Sequence, residues 1–233
     1  MSFSNVGMIL AAGYGKRMMP FTQSEPKPLL NINGITLLEN SINFLIKLGC
    51  KKIIINTHYL NNQIESFINQ LKEREKIITI YEKEILDTGG GIKNIIPYIN
   101  SNNLLVVNSD VFWTENNLND ARLLINNFDI HNNSTLLLSN KENSYGLDKM
   151  NGDFILKDNK IIRYLKGEEI IFYSGLQILN VNSIKNFSDK KFSINLIWDI
   201  LINKGELRGE LMKSKWYHVG DPKGLSIVKK LFS

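Results

Sequence analysis

The residues best suited to chemistry follow the first apolar run of the chain. Val6–Leu10 reads as a short buried strand. Directly after it come Ala11-Ala12-Gly13-Tyr14-Gly15-Lys16-Arg17-Met18 and then Pro26-Lys27-Pro28-Leu29. Small residues after a strand let the backbone approach a ligand closely and offer N–H groups to phosphate oxygens. The dinucleotide fingerprint needs a third glycine where Met18 stands, and the P-loop needs a Gly-Lys-Ser/Thr run that is missing. What remains is a glycine loop that carries its own cations, followed by a lysine locked between two prolines. Arg17 presents a planar fork suited to the β and γ phosphates of a nucleotide. Lys27 can neutralise an α-phosphate or an incoming phosphate. Nucleotidyl transfer asks the protein mainly for positioning and charge stabilisation, which such a loop supplies. A structural glycine turn with solvated Lys and Arg is the competing reading of the loop taken alone.

Other stations recur along the chain. Asn108-Ser109-Asp110 closes an apolar run at Leu104–Asn108, and the Asp110 carboxylate is a hard ligand suited to Mg²⁺ or, more plainly, a turn cap. Asp87-Thr88-Gly89-Gly90-Gly91 is expected to precede a helix and to let the chain pass a flat ligand, because three glycines bring nothing to a core. His58 reads as a structural hydrogen-bonder at a strand end, and Glu25 as a solvated charge. Gly175, within Tyr173-Ser174-Gly175, is suited to a strand bulge. Near the end, Trp216-Tyr217-His218-Val219-Gly220-Asp221-Pro222 places Pro222 at the first turn of a helix that Asp221 can cap.

The elements that must hold these groups alternate in the first half. Short β-rich runs at Val6–Ala11, Lys52–Asn56, Ile77–Tyr81 and Leu104–Asn108 are separated by helical spacings at Thr36–Leu48, Asn61–Lys72 and Gly91–Tyr98. Asn117–Phe128 and Ser134–Leu138 continue the rhythm. This predicts an α/β class: a Rossmann-like three-layer α/β/α sandwich with a mixed, mainly parallel central sheet, ligands gathering at the strand carboxyl ends. From about Lys149 the pattern changes. Strands are expected at Asp153–Leu156, Lys160–Leu165 and Ile170–Leu179, as an antiparallel or mixed extension covering one end of the site. A helix at Ser193–Asn203, a strand near Leu207–Met212 and a helix at Pro222–Leu231 follow. The expectation is a single domain over 1–233, with 1–148 as the nucleotide-binding part and 149–233 as the sugar-binding part.

Composition narrows the classes. At 233 residues, 43% hydrophobic and 22% charged, the chain has the balance of a globular protein. The net charge of +5 is scattered rather than gathered into a stripe, which argues against nucleic acid and suits small phosphorylated ligands. A lone cysteine, Cys50, reads as a buried thiol and permits no intrachain disulfide. No apolar run has the length of a membrane span, and Met1–Gly7 lacks the pattern of a secretory leader. The expected compartment is the cytoplasm, with no membrane partner.

Leu10-Ala-Ala-Gly-Tyr-Gly-Lys-Arg-Met18 with Pro26-Lys-Pro-Leu29 resembles the signature L-A-A-G-x-G-x-R-M … P-K-P-L of the sugar-1-phosphate nucleotidyltransferases. The resemblance covers nearly the whole chain. It implies a nucleoside triphosphate and a sugar 1-phosphate as ligands and Mg²⁺ as cofactor, with Arg17, Lys27 and Asp110 in catalysis. It places the nucleotide against Leu10, Ala11, Ala12, Gly13, Gly15, Gly89 and Gly90, and the sugar side against Asn108, Gly146, Lys166, Ser174 and Gly175. Asp110 is implied as a metal ligand. The family's W-x-D-V-G-T-P pattern is met by Trp216–Pro222 with one departure: His218 stands where many relatives carry a second metal-ligating Asp, and imidazole is a poor Mg²⁺ ligand. Either Asp221 takes over as second ligand, or Asp110, phosphates and water hold the metal with His218 in the outer shell. The reading favours the second, with Asp221 as a helix cap, and keeps Asp110 and His218 as the candidate metal residues.

Within the family, Asp87-Thr-Gly-Gly-Gly-Ile92, Asn108-Ser-Asp-Val-Phe-Trp113 and Tyr173-Ser-Gly-Leu176 resemble the small bacterial N-acetylmuramate α-1-phosphate uridylyltransferases of cell-wall recycling. Mannose-1-phosphate guanylyltransferases and other sugar-1-phosphate nucleotidyltransferases share the scaffold. A catalytically silent nucleotide-sensing relative would usually lose Arg17, Lys27 or Asp110, all of which are present. A nicotinamide-dependent dehydrogenase is opposed by the first loop.

Overall fold

The computed structural model describes residues 5–129, 134–147 and 151–233. The expected division between 148 and 149 falls outside the described residues, as do the first four residues of the stretch read for a leader.

Among the described residues nine strands build one sheet: β1 (Val6–Leu10), β2 (Lys52–Thr57), β3 (Ile77–Tyr81), β4 (Asn103–Asn108), β5 (Ser134–Asn140), β6 (Phe154–Lys157), β7 (Lys160–Arg163), β8 (Ile171–Asn180) and β9 (Leu207–Leu211). Their order is β3-β2-β1-β4-β8-β5-β9-β7-β6. The first four run parallel, and β9 runs parallel to β5, whereas β8 and β7 are antiparallel to their neighbours. The mixed, mainly parallel sheet expected from the sequence is the one observed.

Each inner strand is apolar on both faces because helices cover both. Ile9, Ile53, Ile55, Leu105 and Val107 point to one side, where they meet α1 (Leu37–Lys47), α2 (Asn61–Asn69) and α4 (Glu115–Asn126). Their sequence neighbours Met8, Ile54, Leu104 and Val106 point to the other. There they meet α3 (Asp87–Ile95), α5 (Asn182–Lys185) and α6 (Ile194–Asn203). The period of two, read on continuous apolar runs, is the mark of a sheet buried on both sides. A third cluster joins Met18, Leu30, Ile32 and Leu37 to Phe112, Val219 and to Leu225 and Val228 of α7 (Pro222–Phe232). It fastens the loop after β1 to the last helix.

Two expectations need correction. The antiparallel strand expected here is present at Ile171–Asn180 and borders the site, but it lies inside the sheet and not at its edge as an extension. It inserts antiparallel between β4 and β5, so its beginning lies beside the carboxyl end of β4. Leu176, Ile178 and Leu179 are fully buried, which explains why this reversed strand sits at the centre. The run Asp87–Gly91 is not a turn before a helix but the first part of α3 itself, and all three glycines are buried.

Candidate active site

The carboxyl ends of β1 and β4 and the start of α3 enclose a cleft of about 520 Å³. The loop leaving β1 is held from below by a chain of buried polar groups. Asn56 at the end of β2 accepts the Ala11 N–H at 2.9 Å and donates to Glu82 Oε1 at 2.7 Å. Glu82 Oε2 in turn accepts the Leu86 N–H at 3.0 Å. The same carboxylate thus ties the glycine loop to the approach of α3. Gly15 has φ of 64°, a left-handed conformation that favours glycine. Its carbonyl accepts the Thr22 hydroxyl at 2.8 Å, and a Cβ there would lie 3.0 Å from Thr22 and 3.3 Å from Lys27. Gly13 is different: a Cβ would meet nothing within 4 Å, so the space beside it is open.

The cations follow from this turn. Lys16–Met18 forms a single 3-10 turn anchored by the buried Met18, which leaves Arg17 exposed at the cleft. Pro26 is extended and Pro28 and Leu29 are buried, so the Lys27–Leu29 turn fixes the stem of Lys27. Lys27 Nζ donates to Asp110 Oδ2 at 3.0 Å, the two side chains being 12% and 19% exposed. His218 Nε2 lies 3.6 Å from the same oxygen. Burial works against the Asp110 charge, but the Lys27 ammonium and the adjoining His218 outweigh it and hold the carboxyl well below the usual carboxylate range. Asp110 Oδ1 and His218 Nδ1 are both buried and have no hydrogen-bond partner among the described residues.

Main-chain bonds place His218. Its N–H donates to Tyr145 O at 2.9 Å, the Val219 N–H donates to Asp110 O at 2.7 Å, and Phe112 N–H donates to Tyr217 O at 2.9 Å. A second cavity of about 180 Å³ adjoins, lined by Arg17, Asn108, Asp110 and His218 with Asp153, Tyr173, Gly175 and Trp216. Gly175 has φ of 91° where the pairing of β8 with β5 shifts register, and a Cβ would strike Val111 at 2.9 Å. The bulge expected there is present.

Leu10, Ala11, Ala12, Gly13, Gly15, Arg17, Lys27, Asn108 and Asp110 therefore converge on one cleft. Others do not. Gly89 and Gly90 are packing positions rather than cleft lining, since a Cβ would lie 2.4 Å from the Phe192 ring and 2.4 Å from Lys190 O respectively. Thr88 and Asp87 line the cleft in their place. Ser174 is fully buried and its hydroxyl donates to Leu137 O at 2.8 Å, so it faces the sheet and not a ligand. Gly146 lets the chain pass the His218 carbonyl, 2.2 Å from a would-be Cβ. Lys166 stands exposed on a turn after β7 and lines neither cavity. Asp221 caps α7 by accepting the Gly224 N–H at 2.8 Å. His58 contacts Glu82 O at 2.7 Å and the Tyr14 hydroxyl at 3.2 Å.

Sequence reasoning missed Asn56, Glu82, Asp153 and Tyr173. The available signal for the first two was a polar residue ending, or directly following, a β-rich run. The geometry defines a class: an α/β protein with a glycine loop and cations at the strand ends, where the Asp110 carboxylate meets Lys27.

The comparisons with known proteins agree with that class. The model of the nucleotidyl transferase family matches residues 6–231. An N-acetylmuramate α-1-phosphate uridylyltransferase of Caulobacter vibrioides is 28% identical over 93% of this chain and 92% of its own length. A mannose-1-phosphate guanyltransferase of Pichia angusta is 28% identical over 93% of this chain, which spans 61% of that relative. In fold, HddC from Yersinia pseudotuberculosis, solved in complex with GMP-PN, superposes with a TM-score of 0.78 at 24% identity, covering 98% of this chain and 99% of that one. This chain belongs to the nucleotidyl transferase family. Among the described residues no helix is long and apolar enough to cross a membrane.

Proposed function

We propose that the protein joins a nucleoside triphosphate to a sugar 1-phosphate, giving a nucleotide sugar and pyrophosphate, with UTP and N-acetylmuramate 1-phosphate as its substrates. The observation that carries the reading is the meeting of Lys27 and Asp110, 3.0 Å apart, beside an Arg17 that borders both cavities. The Caulobacter relative, similar along nearly the whole chain, supports the choice of substrates. The reaction belongs to cell-wall recycling in the cytoplasm on this reading. Residues 1–148 hold the nucleotide and 149–233 complete the sugar side.

The reaction is a single in-line displacement. An oxygen of the sugar phosphate attacks the α-phosphorus, the bond from that phosphorus to the bridging oxygen breaks, and pyrophosphate leaves. The attacking phosphate is already ionised, so no general base is needed. Lys27 offsets charge on the α-phosphate, and Arg17 grips the departing pyrophosphate with its planar fork. Loop N–H groups at Gly13 to Gly15 orient the phosphates. The resemblance adds a divalent cation, Mg²⁺ in the family. The residues fit one: Asp110 Oδ1 is buried and unpartnered, and one carboxylate with substrate phosphates is a common set of ligands for such an ion. When bound, it supplies further positive charge to the phosphate oxygens.

A matrix of nucleoside triphosphates against sugar 1-phosphates, read by pyrophosphate release with Mg²⁺, tests the reading. Release is expected to be strongest with UTP and N-acetylmuramate 1-phosphate. Strongest release with GTP and mannose 1-phosphate would move the assignment to a guanylyltransferase, and none with any pair would overturn it.

A further inference from the structure

The glycine loop is held from outside as well as from below. Tyr14, between Gly13 and Gly15, lines the cleft and is 44% exposed. Its ring meets that of His58 edge-on, with centroids 5.3 Å apart, and its hydroxyl lies 3.2 Å from His58 Nε2. His58 Nδ1 lies 2.7 Å from Glu82 O. A carbonyl only accepts, so Nδ1 carries the proton and, in the neutral ring, Nε2 accepts from the Tyr14 hydroxyl. The segment after β2 grips the rest of the loop as well. The Tyr59 hydroxyl lies 3.1 Å from both Thr22 O and Gln23 O, and Gln63 Nε2 donates to Ser24 O at 2.9 Å. His58 lines neither the cleft nor the cavity beside Asp110, so it touches the loop and not a ligand.

What this catch holds in place is Lys16. Its Nζ stands 5.4 Å from the centroid of the Tyr14 ring, and the residue lines the cleft beside Arg17. Lys27 is paired with the Asp110 carboxylate, whereas among the described residues no carboxylate pairs with Lys16. The face of an aromatic ring steadies an ammonium without cancelling its charge. A cation ordered before the ligand arrives also saves the ligand the entropy of ordering it. We propose that Lys16 is a further cation for the triphosphate tail, and that the Tyr14–His58 catch positions it. Lys16 meets the terminal phosphates next to Arg17, while Tyr14 and His58 are positioning residues that preorganise the loop. This role rests on the nucleotidyl-transfer reading and extends its cations from two to three.

The test uses the full chain. Calorimetry follows a non-hydrolysable UTP analogue and UMP, or their guanosine counterparts if the substrate matrix favours GTP, and steady-state kinetics follow the transfer. Lys16→Gln should weaken the triphosphate analogue about tenfold or more, as the loss of a hydrogen bond between charged groups does, and leave UMP unchanged. Tyr14→Phe keeps the ring and loses the hydroxyl. His58→Asn keeps a donor for Glu82 O and loses the acceptor for Tyr14. Each should raise the KM for UTP about two- to tenfold, with kcat and the KM for the sugar phosphate unmoved. Both changes together should do no more than either alone and should add little to Lys16→Gln, because groups that act as one unit are not additive. Native affinity for the triphosphate analogue in Lys16→Gln, or fully additive effects of Tyr14→Phe and His58→Asn, would overturn the proposal. The binding measurements separate the two claims. Unchanged affinity in Lys16→Gln with normal turnover removes only this role. Loss of triphosphate affinity in that variant, with no turnover by the native protein on any substrate pair, keeps Lys16 as a phosphate cation and removes the transfer reading beneath it.

Discussion

The two sides of the cleft are finished to different degrees. On the side of β2 and α3, Ala11, Asn56, Glu82 and Leu86 form a closed relay, in which both carboxylate oxygens of Glu82 and both amide atoms of Asn56 are in use. On the side of β4, Asp110 has one oxygen crowded by Lys27 and His218, while its other oxygen and His218 Nδ1 have no partner among the described residues. Buried polar groups in a folded protein are nearly all hydrogen-bonded, so a satisfied relay reads as framework and an unsatisfied pair as a place completed by something else. The contrast separates residues that shape the cleft from residues that act in it. Changes to the first should show in stability, and changes to the second in turnover.

The largest effect on turnover is expected at Asp110. Asp110→Asn keeps the shape and removes the charge, and turnover should drop by about 10²–10³-fold or more, on the scale of losing one electrostatic stabiliser. The urea midpoint should fall as well, because the Lys27 ammonium loses its partner, but the protein that remains folded should still be inactive. A large loss of stability with turnover intact would reverse the contrast. Glu82→Ala comes next and acts in the opposite register. It leaves the Asn56 amide and the Leu86 N–H without an acceptor, at about 1–3 kcal/mol for each buried group. Urea unfolding should report that loss, together with a raised KM for the nucleotide as the Ala11 loop loosens. Glu82→Gln, which keeps one acceptor, should recover much of it.

A pair of glycines sharpens the same distinction. Gly90→Ala would press a methyl against the backbone carbonyl of Lys190 at 2.4 Å and should destabilise by about 1–3 kcal/mol, as overpacking does. Gly13→Ala has nothing within 4 Å, so stability should stay within about 0.5 kcal/mol. Its effect belongs to nucleotide affinity, because only a ligand would meet that methyl. The smallest effect is at Cys50, whose thiol burial pushes up to about 12. Thiol reagents at pH 8 should label the native protein slowly and the urea-unfolded protein fast, and Cys50→Ala should leave turnover unchanged.

How much of this was legible in the sequence follows the same division. The parallel strands were readable because a strand buried on both faces must be continuously apolar, as Ile53–Ile55 and Leu104–Val107 are. The glycine loop, Lys27 and Asp110 were readable because each follows such a strand and carries charge. The relay was not. Asn56 and Glu82 are 26 positions apart and come together only through the pairing of β2 with β3. Gly89–Gly91 misled because glycine has low helix propensity, yet their lack of side chains lets Phe192, the Lys190 carbonyl and the Asn56–Glu82 pair pack against α3. The direction of the Ser174 hydroxyl was not readable, because a position in a motif does not say which face of β8 a side chain takes; here it bonds across to β5. Lys166 sat in a stretch with no periodic pattern to fix its direction.

The proposed reaction moves the α-phosphorus of a nucleoside triphosphate onto a sugar phosphate. Following a radiolabel placed at the α-phosphorus, and in a parallel reaction at the γ-phosphorus, tests it most directly. With UTP and N-acetylmuramate 1-phosphate the α-label should appear in the nucleotide sugar and the γ-label in pyrophosphate. Recovery of the γ-label on the sugar, or of both labels as unreacted triphosphate for every sugar phosphate offered, would contradict nucleotidyl transfer.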